Sequence, residues 1–208
     1  MYIPDAFRET DRKALHQLMR QNSFATLITI NGGAPLASHL PILLDSDRGD
    51  YGTLSGHMAR ANPQWRDFSD GREALAIFQG PHAYVSPSWY ETHPSVPTWN
   101  YAVIHAYGTA RLIDDRSELR KLLQASVQFY ESGFEKPWAF ELPEKFVEKM
   151  MDMIVGFEIP ISRIEGKFKL SQNRPPADRN RVKQTLENSA DPLAKAVAEL
   201  MAAARGAR

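Results

Sequence analysis

Phe24-Ala25-Thr26-Leu27-Ile28-Thr29-Ile30, followed by Asn31-Gly32-Gly33, is the stretch on which the fold turns. Its β-branched and apolar residues read as a strand, and the Asn-Gly-Gly that ends it reads as a reversal. Pro35 to Leu44 supplies a second strand and Tyr51 to Leu54 a third, with Asp45 to Asp50 as the turn between them. Three strands in immediate succession predict an antiparallel meander.

Upstream, Asp11 to Asn22 reads as a short helix capped by Asp11, with Leu15, Leu18 and Met19 at helical spacing. Downstream, Ala74 to Phe78 and Ala83 to Val85 read as two strands parted by Gly80-Pro81. Ser86 to Thr98 holds three prolines and reads as an irregular loop. Tyr101 to Leu112 alternates strictly. Tyr101, Val103, His105 and Tyr107 fall on one face, and Ala102, Ile104, Ala106 and Gly108 on the other, whose small side chains suit close packing. Asp115 to Tyr130 and Pro143 to Met151 read as helices. Ile154 to Lys169 returns to strand, broken at Pro160 and Gly166. Helices over Asp178 to Leu186 and Pro192 to Ala204 follow, and Arg205 to Arg208 should fray. The pattern predicts an α+β protein with a β-barrel-like core of antiparallel strands and peripheral helices. A barrel would leave no sheet edge exposed.

Composition narrows the function. The chain has 208 residues and carries 25 Lys or Arg against 25 Asp or Glu. A zero net charge gives no bulk attraction to nucleic acid or anionic lipid. From Pro160 onward, however, ten basic residues face five acidic ones. There is no cysteine, so disulfides and thiolate chemistry are excluded. Met1-Tyr2-Ile3-Pro4 carries no signal-peptide pattern, and no apolar run reaches the roughly 20 residues of a membrane span. The expected setting is the cytoplasm, with no membrane partner.

Leu54 to Tyr101 concentrates the candidate site residues. Leu54-Ser55-Gly56-His57-Met58-Ala59-Arg60-Ala61-Asn62-Pro63 follows a strand and leads into a helical segment. Free backbone N–H groups at such a junction, with Ser55, His57 and Arg60 beside them, suit a phosphate. A capped helix start with a solvated arginine explains the same residues. Phe78-Gln79-Gly80-Pro81-His82-Ala83-Tyr84-Val85-Ser86-Pro87-Ser88-Trp89-Tyr90 brings aromatic and polar groups together, as a planar-ligand pocket or a well-tied loop would. Trp99 could stack on a ring, and Asn100 could meet the edge of a heterocycle or its own backbone. Ser38-His39 lies within the second strand, facing a cleft or solvent. Lys167 and Lys169 share one strand face and can reach an anion together, with Gln172 beyond them; a solvated strand with a polar turn explains the same residues and is the better reading of the pattern alone. The histidines match no metal-ligand spacing. Nucleophile-elbow, dinucleotide and Walker motifs are absent, so chemistry would come more naturally from a bound cofactor than from a side-chain pair.

The chain resembles the PaiB family of FMN-binding negative transcriptional regulators. Met1-Tyr2-Ile3-Pro4, Ala37-Ser38-His39-Leu40-Pro41, Gly56 to Pro63 and Phe78 to Tyr90 carry the likeness. Val96-Pro97-Thr98-Trp99-Asn100-Tyr101 and Glu165-Gly166-Lys167-Phe168-Lys169-Leu170-Ser171-Gln172-Asn173 complete it. The resemblance implies a split β-barrel of the pyridoxamine-phosphate-oxidase type over 1–175 and a C-terminal helical extension over 176–208. It implies a homodimer with FMN between subunits. It puts Ser55, His57, Arg60 and Asn62-Pro63 at the phosphate and the strand near Ala76 to Gln79 beside the flavin. Ser38, His39, His82, Trp99, Asn100, Lys167, Lys169 and Gln172 join this cofactor-binding set. It also implies a role in repressing transcription, through DNA directly or a regulatory protein partner. A flavin-dependent oxidoreductase is the alternative.

Overall fold

The computed structural model describes residues 1–204. The expected fraying of Arg205 to Arg208 lies outside them. In chain order the elements are β1 (Arg8–Glu9), α1 (Arg12–Gln21), β2 (Phe24–Asn31), β3 (Ala34–Asp45) and β4 (Thr53–Ala59). A 3-10 segment (Pro63–Asp70), β5 (Glu73–Val85), a 3-10 turn (Pro87–Trp89), β6 (Thr98–Thr109) and β7 (Arg111–Ile113) follow. Then come α2 (Arg116–Glu131), α3 (Glu144–Asp152), β8 (Ile154–Pro160), β9 (Arg163–Lys169), α4 (Pro176–Glu187) and α5 (Pro192–Ala203).

The chain forms two compact units. The first gathers Met1–Asn22, Phe78–His105 and the described residues from Glu165 onward. The second gathers Ser23–Ile77 and Ala106–Ile164. The long strands β5 and β6 each give one half to each unit.

In the second unit the strand order is β5-β2-β3-β4-β8-β7. The meander is as the sequence predicts. β2 and β3 pair antiparallel from Phe24 opposite Pro41 to Asn31 opposite Ala34, and Gly32 and Gly33 make the turn with φ of 56° and 87°. Only glycine takes two consecutive positive φ values at little cost, and such turns match the twist of paired strands.

β4 departs from expectation. The strand does not end at Leu54; it runs to Ala59, so there is no strand-to-helix junction at Ser55 to Arg60. The physical reason is tertiary. β4 pairs with β3 over Thr53–Gly56 and with β8 along its whole length. Ladder bonds to two neighbours outweigh any local preference of these residues for a helix. The helical segment starts later, at Pro63, capped by the Asn62 side chain.

The opposite face of the β4–β8–β7 sheet from its Phe157 core is covered by helices. Leu119, Leu122, Val147 and Met151 bury themselves there with Leu43 and Ile113. Gly156 admits this contact, since a Cβ would lie 2.7 Å from Leu119 Cδ1.

In the first unit the order is β1-β9-β6-β5. β5 does not break at Gly80-Pro81, as the sequence suggested. Its pairing with β2 covers only Leu75–Ile77, so at Pro81 a missing N–H costs no bond on that side. α1 is capped by Asp11, whose carboxylate accepts from Lys13 N, and it buries Leu15, Leu18 and Met19. The alternation foreseen for β6 holds: Ala102, Ile104 and Ala106 are buried and their neighbours are not.

Both strand rows are open, so the expected barrel does not close and sheet edges remain. The two ends of the order, β1 and β7, have only two and three residues. Edge strands this short present few free backbone groups to a stray partner.

A Cβ on Gly108 would stand 2.2 Å from the Pro160 carbonyl oxygen. That neighbour is backbone and cannot rotate aside. Gly108→Ala is therefore expected to cost about 1–3 kcal/mol, read as a lower urea midpoint in equilibrium unfolding. An unchanged midpoint would show that β6 and β8 are not packed this closely.

Candidate functional site

Burial along the first unit's strands sorts the candidate residues by face. In β5 the buried set is Ala74, Ala76, Phe78 and Gly80, then Pro81, Ala83 and Val85. Two adjacent buried residues, Gly80 and Pro81, shift the alternation by one, as a bulge does. Gln79, His82 and Tyr84 consequently share the outer face. On β6 that face carries Trp99 and Tyr101, and on β9 Lys167 and Lys169.

The side chains meet. The Trp99 ring is 6.1 Å from His82 and 6.0 Å from Tyr84, the latter edge-on, and Trp99 is 51% exposed. Lys167 Nζ lies 5.4 Å from the Tyr101 ring centre and donates to the Tyr2 carbonyl at 3.1 Å. Lys169 Nζ donates to Thr98 Oγ1 and to the Trp99 carbonyl, the latter at 2.9 Å. Burial lowers the Lys169 pKa, and the nearby charges of Lys167 and Arg174 lower it further. Neither lysine makes an ion pair among the described residues. Two crowded cations without a carboxylate between them favour an anion, which would relieve their repulsion. His82 Nδ1 is buried with no hydrogen-bond partner.

Two candidates of this unit point elsewhere. Asn100 is fully buried and exchanges hydrogen bonds with Ser171 Oγ. Gln172 accepts from Leu170 N at 2.6 Å and donates to the Phe168 carbonyl. Their amides hold the turn after β9, where Ser171 takes a φ of 63°.

Asp178 is a residue that sequence reasoning missed. It is fully buried, and its Oδ1 accepts the N–H groups of Glu91 (2.7 Å) and Thr92 (3.2 Å). Arg174 stacks over the buried Tyr90 ring at 4.3 Å and donates to Ser95. α4 thereby ties down the proline-rich loop that runs from Ser86 into Trp99. An Asp at the first turn of a helix looks like an ordinary helix-start residue, so nothing local signals the loop contact.

The second unit collects the others. Asn62 caps the 3-10 segment through Gln64 N and donates through Nδ2 to Ser38 Oγ at 2.8 Å. Gln64, also unforeseen, is fully buried and donates to the carbonyls of Leu27 and Leu36. His39 is exposed, with Nδ1 3.0 Å from Thr26 Oγ1. Ser55 and His57 share the half-buried face of β4. Arg60 is spent on backbone: Nε donates to the Asp152 carbonyl at 2.8 Å and a terminal nitrogen to that of Ile154 at 2.9 Å. These bonds satisfy carbonyls at the end of α3 and the start of β8 and engage two of the five guanidinium N–H donors.

Sequence comparison matches residues 1–163 to the family described as "Putative FMN-binding domain". The chain belongs to this family. It is 40% identical over 202 residues to the Bacillus subtilis "Protease synthase and sporulation protein PAI 2", covering 97% of this chain and 96% of that protein. An uncharacterized Emericella nidulans protein is 35% identical over 97% of the chain and 96% of its own length. Among solved structures, the FAD and heme binding protein of Mycobacterium smegmatis superposes with a TM-score of 0.61 at 18% identity, covering 78% of this chain and 73% of that one. The flavocytochrome Anf3 of Azotobacter vinelandii gives 0.61 at 14% identity, over 78% and 69%. Likeness at such identity shows the fold, an α+β split barrel with antiparallel strands.

FMN is the cofactor of this family, and the outer face of the first unit fits it chemically. An isoalloxazine wants aromatic neighbours and a phosphate wants cations; His82, Trp99 and Tyr84 supply the first, Lys167 and Lys169 the second. No helix among the described residues is long and apolar enough to cross a membrane.

His57 makes a pH prediction. Burial in β4 depresses its pKa, so the folded chain holds it neutral. With the folded value below the unfolded one, its contribution to stability is present above the unfolded pKa and is lost as pH falls towards the folded value. The thermal unfolding midpoint should therefore fall as pH drops from about 7 through the ordinary histidine range near 6.5, and His57→Gln should flatten that slope. An equal slope in the variant would assign the effect to another group.

Proposed function

We propose that this protein is an FMN-binding homodimer that acts as a negative regulator of transcription, and that FMN sits on the outer face of the first unit. The arrangement of Lys167 and Lys169 beside the rings of Tyr101, Trp99 and His82 carries the reading. Lys167 and Lys169 hold the phosphate, and Trp99 and Tyr84 flank the ring. Asp178 and Arg174 keep the loop before Trp99 in place. When bound, FMN supplies one- and two-electron transfer.

The regulatory role is supported by 40% identity to a protein named for protease synthesis and sporulation. The homodimer is supported by the outer face of β2 and its neighbours. Phe24 is 70% exposed, and Ile30, Pro35 and Ala37 join it, with Ile28 and Ile77 half-covered. By register these side chains share one sheet face, since Ile28 is opposite Ala37 and Ile30 opposite Pro35. The Thr26–His39 pair interrupts this face between Phe24 and Ile28, and the apolar residues around it suit a second copy. A flavin-dependent oxidoreductase is a second reading, favoured by His82 Nδ1, an unpartnered imidazole nitrogen beside Trp99 that could hold a proton.

Flavin titration, sedimentation and assays of reduction and promoter binding test this. Titration of apoprotein with FMN should show Lys167→Ala with Lys169→Ala weakening binding by about 100-fold, near 2.7 kcal/mol, with the fold intact by circular dichroism. Unchanged affinity would move the phosphate elsewhere. Sedimentation velocity should show wild type as a dimer and Phe24→Lys with Ile30→Lys as a monomer. Reduction of the bound flavin by NADH or NADPH, with no promoter fragment retained at physiological salt, would favour the enzyme reading over the regulator.

A further inference from the structure

The first unit contains a second concave site on α1 and α5. A cavity of about 560 Å³ lies among Gln17, Leu18, Gln21 and Asn22 of the α1 end, Gln79 to His82 of β5, and Leu193, Glu199 and Leu200 of α5. Its floor is aliphatic. Leu18 packs against Gly80, where a Cβ would come within 2.9 Å of Leu18 Cδ1, so the helix and strand meet without a gap beneath it. Leu193, Ala196, Leu200 and Ala203 form one stripe of α5 along the wall.

Asn22 caps α1 through the Leu18 carbonyl, but four other polar side chains at this cavity are free. Gln17, Gln21, Gln79 and Glu199 make no hydrogen bond or ion pair to the rest of the described chain. The electrostatics have one sign. Glu199 is the only residue of the lining with a permanent formal charge, and no Lys or Arg belongs to it. The C-terminal turn of α1 also borders it; its Leu18 and Met19 carbonyls already accept from Asn22, so what this end adds is the negative pole of the helix dipole. A phosphate or carboxylate would be repelled, so this is not a second version of the lysine face on β9.

From these features we propose that the α1–α5 cavity binds a small organic cation, an aliphatic primary amine. The ammonium meets Glu199 and the α1 terminus, with the glutamine amides as further acceptors, while the alkyl chain lies on Leu18, Leu193 and Leu200. Cations at such a position gain from the carboxylate and the helix end together. The alkyl body gains from covering the aliphatic floor. No step of this rests on flavin being bound.

The test uses the full chain and n-hexylammonium chloride, with hexanoate and 1-hexanol as probes of equal length. Titration followed by 1H–15N correlation spectra reports the side-chain amides of Gln17, Gln21 and Gln79 directly. The expected result is saturable binding of the ammonium with shifts clustered on those amides, hexanol at least about tenfold weaker, and hexanoate not bound. Glu199→Gln, an exposed position whose loss leaves folding intact, should weaken the ammonium by about tenfold. Ala196→Trp should block all probes by filling the cavity. Equal affinity for hexanoate or hexanol, shifts centred elsewhere, or an unaltered Glu199→Gln affinity would each overturn the proposal. Gln79 and His82 border both sites, whereas Glu199 belongs to the cavity alone, so FMN titration of Glu199→Gln should be unchanged, which separates the amine site from the flavin face.

Discussion

A one-residue shift in the alternation of β5, at Gly80-Pro81, is the constraint on which the candidate flavin face depends. Strand side chains alternate with a period of two, so any residue placed out of phase turns everything after it to the other side. Phe78 and Gly80 are buried before the shift, and Ala83 and Val85 after it. Without the shift, His82 and Tyr84 would point inward and could not meet Trp99. Proline makes the shift cheap, because it has no N–H to leave unbonded.

The two lysines of β9 complete that face, and their situation is electrostatic rather than geometric. Lys169 is partly desolvated, stands near two further positive charges and is held by a hydroxyl and a carbonyl in place of a carboxylate. Structural lysines are ordinarily paired or solvated. A lysine kept in this state fits a chain that expects an anionic ligand. The buried Asp178 serves the same face indirectly, by anchoring through two backbone N–H groups the loop that delivers Trp99.

The second unit uses its polar residues differently. Ser38, Asn62 and Gln64 form a connected set that pins the 3-10 segment to β2 and β3, and Arg60 closes the end of α3. By chemistry each could have met a phosphate, Arg60 most strongly because it is charged. Donors that are already satisfied gain little from a new acceptor, since net hydrogen-bond energies are about 1 kcal/mol. This leaves the unit's outer sheet face, with Phe24 and Ile30, as the feature of it that points to a partner.

Local pattern alone determined the meander, the cap at Asp11, the helices and the alternating faces of β6. Each rests on neighbours within a few residues, where periodicity and capping chemistry act. Pattern also set Lys167 and Lys169 on a common face and marked Leu54 to Tyr101 as rich in candidate groups. Only the tertiary structure decided the length of β4 and the continuity of β5: ladder bonds to β3 and β8 overrode the local signal at Ser55, and at Gly80-Pro81 the β2 ladder had already ended, so the proline broke none of its bonds. It alone separated the asparagines and glutamines that hold the fold from the residues left free to bind. Whether a donor is already satisfied depends on what the folded chain places opposite it, which no local stretch of sequence records.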